Sequence, residues 1–171
     1  MYCKRETKKV CDEHKLFLHL DGARLPNACV KEGKTLAEYT EPFDTVSICL
    51  SKSLGCPIGS IVVGSDETIQ RAKHFRKLLG GGWRQAGILA SAALYAFENH
   101  WERLADDHSN ALYLRDKLTG LGFTEEFPTE TNQIWLNSKD LGVTFDELSK
   151  ACREKGILIP DGAFSTRLVT H

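Results

Sequence analysis

Two short apolar runs joined by a glycine- and proline-punctuated loop constrain this chain more than any other stretch. Ser47-Ile48-Cys49-Leu50 leads into Ser51-Lys52-Ser53; Gly55, Pro57 and Gly59 mark the loop, and Ile61-Val62-Val63 follows it. The pattern predicts strand, turn, strand, with Lys52 at the mouth of the first strand. A lysine there lays an aliphatic stem along apolar surface and presents its amine beyond it. A neutral amine is a nucleophile toward an aldehyde, and a Schiff base is the product. The plainer alternative is a solvated lysine that follows a strand.

Upstream, residues 2 to 15 are polar and charged and suit the tail of a helix. Leu16 to Leu20 predicts a short strand that ends at Asp21-Gly22-Ala23-Arg24. A carboxylate at a strand's carboxyl end is a frequent ligand position in α/β sheets. It is equally the residue type that caps the helix expected over Leu25 to Lys31. Both readings of Asp21 stay open on pattern alone.

Downstream, Asp66 is expected to cap a helix that runs to Leu79, with Arg71, Lys73, His74, Arg76 and Lys77 on a solvated basic face. Gly80-Gly81-Gly82-Trp83-Arg84-Gln85 then either lets the backbone approach an anionic ligand or simply ends the helix. Ala86 to Trp101 is a helix apolar nearly all round, which predicts burial against a sheet or a subunit. Another helix spans about Ala105 to Leu118. Beyond Phe123 the texture shifts. A polar connector runs over Glu125 to Glu130, strands are expected at Ile134–Leu136, Ile157–Ile159 and from Arg167, and an amphipathic helix at Phe145–Glu154. This set predicts a small second α/β unit.

Composition narrows the partners. The 171 residues are 42% hydrophobic and 26% charged, as in globular proteins. A net charge of -1 gives no electrostatic basis for binding nucleic acid or an anionic membrane surface. No apolar run approaches the ~20 residues of a membrane span. Met1 to Lys9 is charged, so no secretory peptide is expected. The six cysteines include no CxxC pair, and the six histidines add no metal-ligand spacing. No metal site is expected, Cys49 and Cys56 suit buried thiols, and a reducing, cytoplasmic location follows.

Three stretches occur in a telling order: His19-Leu20-Asp21-Gly22-Ala23-Arg24, Ser51-Lys52-x-Leu54-Gly55-x-Pro57-x-Gly59-Ser60, and Gly80-Gly81-Gly82-x-Arg84-Gln85-Ala86-Gly87. With Arg167-Leu168-Val169-Thr170-His171 as a fourth, the set resembles the threonine aldolases, pyridoxal-phosphate enzymes of the aspartate-aminotransferase-like fold. The resemblance implies an α/β chain: residues 1–122 as the C-terminal half of a fold type I large domain, and 123–171 as a small α/β domain, incomplete at its end. It also implies that roughly another domain's worth of chain precedes residue 1, carrying the phosphate-holding loop and the ring stacked on the cofactor. His19, alternating with its strand neighbours, is not expected to supply that ring.

The same resemblance implies roles. Lys52 matches the Schiff-base lysine, Asp21 the carboxylate at the pyridinium nitrogen and Arg24 the arginine near the phenolic oxygen. Arg84 and Lys77 match residues near the cofactor phosphate, reaching across a subunit interface of a homodimer or homotetramer. Arg167 matches the arginine that grips the amino-acid carboxylate. The implied reaction cleaves L-threonine or L-allo-threonine to glycine and acetaldehyde. Two other readings stand beside it: a non-catalytic truncated product or pseudoenzyme, and a different fold type I lyase or transaminase, distinguished by its products.

Overall fold

β2 (Thr45–Cys49) is the middle strand of a three-stranded sheet. This is a computed structural model, and it describes residues 4–171. β1 (His19–Gly22) pairs with β2 in parallel, and β3 (Ser60–Gly64) pairs with it antiparallel. A parallel pair needs a crossover, here supplied by α2 (Leu25–Glu32) and α3 (Leu36–Thr40). The crossover packs on one face of the sheet. Leu25, Cys29 and Tyr39 close on Val46 and Ile48. Each aliphatic side chain so buried contributes about 1.5–3 kcal/mol, and strand alternation then sends Ser47 and Cys49 to the other face.

α1 (Lys4–Glu13) precedes the sheet. The Leu18 N–H donates to Asp44 Oδ2 at 2.8 Å, and the Asp44 N–H returns a bond to the Leu18 carbonyl at 2.9 Å. Pairing therefore begins at His19 opposite Thr45, later than the strand expected from Leu16. Leu16 and Phe17 are exposed instead.

α4 (Asp66–Leu78) is capped by Ser65, whose Oγ accepts from the Thr68 N–H. Asp66, expected as the cap, lies in the first turn, where its charge meets the positive end of the helix. α5 (Gly87–Asn99) departs from its predicted all-round burial. Ala93, Ala96 and Phe97 pack with Leu50, Leu54, Cys56 and Leu104. On its other side Ile88, Leu94 and Tyr95 remain 80%, 64% and 59% exposed.

The compact units divide between Leu104 and Ala105, ahead of residue 122, where the texture of the sequence shifts. The reason is α6 (Leu104–Thr119): its Ala111, Leu114 and Leu118 pack with Ile134, Leu136 and Phe145. The second sheet has the order β4–β5–β6 and is antiparallel throughout, with β4 (Thr124–Phe127), β5 (Gln133–Asn137) and β6 (Ser165–Val169). β4 occupies the stretch expected to be a connector. Its Glu125 is satisfied by the Thr129 N–H at 2.9 Å and by Arg115 Nη1 at 3.3 Å. α7 (Phe145–Glu154) matches its predicted span, with Thr144 and Glu147 forming a reciprocal cap. Ile157–Ile159 is not a strand. Gly156 turns the chain at φ 75°, and β6 fills the place beside β5. Among the described residues no helix is long and apolar enough to cross a membrane.

Candidate active site

The parallel register sets Asp21 of β1 opposite Ser47 of β2. Register partners on parallel strands project to the same side, and alternation adds Cys49 to that side. His19 lies there too, two residues before Asp21 and not turned away from it. Its Nδ1 is 2.8 Å from Thr45 Oγ1, between partners of the same register. Lys52, three residues past Cys49, folds back so that Nζ donates to Cys49 Sγ at 3.3 Å. With strands ~4.8 Å apart and ~3.3 Å of rise per residue, the Asp21 and Cys49 α-carbons are about 8 Å apart. A carboxylate and a primary amine thus share one face at the carboxyl ends of two parallel strands. Open α/β sheets bind ligands at this edge.

The loop that carries Lys52 is closed on itself. The Gly55 N–H donates to the Lys52 carbonyl at 2.7 Å, the Leu50 N–H to Gly59 O at 2.9 Å, and the Cys56 N–H to Leu50 O at 3.1 Å. Gly59 has φ 112°, a conformation that suits glycine. His100 Nδ1 lies 2.8 Å from the Leu54 carbonyl. A carbonyl only accepts, so that nitrogen carries the proton. Cys49, which touches Lys52, and His100, which touches the loop that carries it, were not singled out by the pattern as site residues. Cys49 was visible three positions before the lysine, but the 46-residue separation of His100 from Leu54 gives no local signal.

Asp21 accepts from the Ala23 N–H at 3.2 Å and is exposed. It does not cap α2. The N-cap position belongs to Arg24, which makes no side-chain cap bond. The turn between them is tight, since a Cβ on Gly22 would stand 2.5 Å from the Ser47 carbonyl oxygen. Asp21, Arg24 and Lys52 are therefore carried by adjoining segments of one sheet.

Lys77, in the last turn of α4, and Arg84, on the connection from α4 to α5, are exposed. The Lys77 stem lies along Gly82, where a Cβ would come within 2.8 Å of Lys77 Cδ. Arg167 is on β6 of the second unit, its guanidinium 5.5 Å over the Trp135 ring. Cys49 is half-buried, whereas Cys56 is buried, as expected. Burial pushes the Cys29 thiol up to about 11 and the Cys56 thiol up as well. A cleft of about 660 Å³ lined by Cys29, Gly33, Leu36 and Trp101 lies on the helix-covered side of the sheet, away from Lys52. Among the described residues no cluster of His, Cys, Asp and Glu is arranged to hold a metal ion.

The family model of beta-eliminating lyases matches residues 2–140. The low-specificity L-threonine aldolase of Candida albicans is 44% identical over 135 residues, covering 79% of this chain and 36% of that protein. The low specificity L-threonine aldolase of Escherichia coli strain K12 is 40% identical over 168 residues, covering 98% of this chain and 49% of that protein. The chain thus spans half or less of the length of these curated relatives. Among solved structures, the threonine aldolase of Leishmania major aligns with a TM-score of 0.72 at 23% identity, over 99% of this chain and 52% of that one. A crystal structure from Exiguobacterium sp. 255-15 aligns with a TM-score of 0.77 at 26% identity, over 98% and 50%. The fold is thus part of the one these proteins share.

Proposed function

Because the chain belongs to the beta-eliminating lyase family, we propose that it carries the lysine-bearing part of a pyridoxal 5'-phosphate site that cleaves L-threonine or L-allo-threonine to glycine and acetaldehyde. One observation carries the reading: the register that pairs Asp21 with Ser47, together with the 3.3 Å return of the Lys52 amine to Cys49. A carboxylate and an amine on one sheet face, at the carboxyl ends of two parallel strands, are the pair of groups that such a cofactor needs at its ring nitrogen and its aldehyde. When bound, the cofactor supplies an electron sink for the bonds at the amino acid's Cα.

Each residue then has a task. Lys52 presents its amine to the cofactor aldehyde and holds it covalently. Asp21 keeps a proton on the ring nitrogen by placing a negative charge beside it. Arg24 offers positive charge to the phenolic oxygen. Arg84 and Lys77 offer charge to a phosphate across a subunit boundary. The Arg167 fork grips the substrate carboxylate at two oxygens and so orients the bonds to Cα. A base takes the β-hydroxyl proton as acetaldehyde leaves.

The chain by itself is proposed to be inactive. The exposed Ile88, Leu94 and Tyr95 of α5 and the exposed Ile61, Val62 and Val63 of β3 favour this reading. Activity then belongs to a longer homodimer or homotetramer, in the cytoplasm, where the free Cys11, Cys29, Cys49, Cys56 and Cys152 stay reduced.

The test is borohydride reduction with pyridoxal 5'-phosphate, followed by peptide mapping. Label at Lys52 that disappears in Lys52→Ala is the expected result, and label that persists in that variant sinks the assignment. Acetaldehyde from threonine in the longer protein supports the aldolase. Pyruvate and ammonia, or a keto acid formed only with an amino acceptor, point to another lyase or a transaminase.

A further inference from the structure

We propose that a peroxide joins the Cys49 sulfur to the Lys52 nitrogen, closing this lysine to carbonyl ligands until a thiol reopens it. The closing of the site rests on the reading of Lys52 as the aldehyde-binding amine; the bond itself rests on geometry alone.

Lys52 Nζ already touches Cys49 Sγ at 3.3 Å. The two residues are three apart, Cys49 at the end of β2 and Lys52 at the start of a turn that the Gly55 N–H closes on the Lys52 carbonyl at 2.7 Å. A shift of the flexible lysine tip closes the remaining distance without moving the strand. Cys49 is free and half-buried, so a small oxidant reaches it. Cys29 and Cys56 are buried, and burial holds both as unreactive thiols.

The chemistry balances. Cys49 attacks one peroxide oxygen, the O–O bond breaks, and sulfenic acid and water result. The neutral Lys52 amine then attacks that sulfur. An N–S bond forms, the S–O bond breaks, and the hydroxyl leaves with an amine proton as water. Sulfur loses two electrons and the peroxide gains them. Reversal begins when an external thiol attacks the sulfur, expelling the amine and leaving a mixed disulfide. A second thiol then frees Cys49.

The experiment treats the chain with hydrogen peroxide in native buffer and in urea, then digests it with trypsin without reductant. In native buffer the cut after Lys52 should be lost, and the segment joining Cys49 to Lys52 should be lighter by two hydrogens. Dithiothreitol should restore the cut. Cys49→Ser and Cys49→Ala should never lose it. Four results overturn the proposal: normal cutting at Lys52 while Cys49 carries oxygen, a disulfide from Cys49 to Cys56, a joined segment that has gained oxygen, or equal joining in urea. A parallel sample is labelled with pyridoxal 5'-phosphate and borohydride. Peroxide should abolish Lys52 labelling in the wild type and leave it intact in Cys49→Ser. If the untreated chain takes no label at Lys52, the aldehyde-binding reading fails, while the digest still decides the bond.

Discussion

Asp21 and Ser47 are register partners across the parallel seam of β1 and β2, so the acid at position 21 shares a face with Cys49, to which Lys52 returns. The Ala23 N–H is the hydrogen bond seen at the carboxylate. Asn keeps the shape and the acceptor for that bond but not the charge. Asp21→Asn should therefore leave borohydride labelling of Lys52 in place. If a longer protein that contains this chain cleaves threonine as proposed, the same substitution should slow that cleavage on the order of 10²-fold, the scale of a preorganised charge beside a reacting group. Unchanged turnover would reduce Asp21 to a turn residue.

Gly22 tests the same seam from the backbone. A methyl there meets the Ser47 carbonyl oxygen at 2.5 Å and Leu25 Cβ at 3.1 Å. Gly22→Ala should cost about 1–3 kcal/mol, the usual penalty of overpacking, read by urea denaturation. Because β1 must shift away from β2, labelling at Lys52 should fall too. A variant as stable as the wild type would show that the seam relaxes freely.

How much of this was legible beforehand depended on whether a residue's partner is close in sequence. β2 was readable because Val46 and Ile48 alternate with polar neighbours and a glycine-rich loop follows. α7 was readable because Thr144 and Glu147 cap it locally. Asp21 and Lys52 were readable as motif members, and their common face follows from the register. β4 was not, because Glu125 and Glu126 read as solvated loop. Glu125 is held by Thr129 and Arg115, and Glu126 by Ser165, 39 residues away. Ile157 to Ile159 has strand composition, but β6 takes the position beside β5. The apolarity of α5 was plain, whereas the side it buries is set by Leu50, Leu54 and Cys56, distant in sequence.

Asp44 ties the start of β1 to the start of β2 and gives the fold an acid-sensitive point. The Leu18 N–H, then the Lys8 ammonium, hold its carboxyl below the usual aspartate range. A depressed folded value means that the stabilisation is fully present above the unfolded value and is lost as pH falls through the folded one. Asp44→Ala should cost about 1–3 kcal/mol at neutral pH, as expected when a backbone donor loses its charged acceptor. The gap between variant and wild type should narrow as the pH drops below 4. Urea melts at several pH values check this, and a gap that widens in acid would refute it.

α5 supplies the last prediction. Ile88 and Leu94 are 80% and 64% exposed, on a helix whose inner side is held by Ala96. Single substitutions at such solvent-facing positions stay within about 0.5 kcal/mol in stability, while removing exposed apolar area weakens association. Ile88→Glu and Leu94→Glu should therefore melt like the wild type but scatter less light as concentration rises. In a longer protein that contains this chain the same substitutions should also loosen association. If that surface is covered by a second subunit or by further chain, a buried unpaired carboxylate there would shift sedimentation toward smaller species or unfolded protein. Identical sedimentation of wild type and variants would mean that α5 faces solvent in the assembly as well.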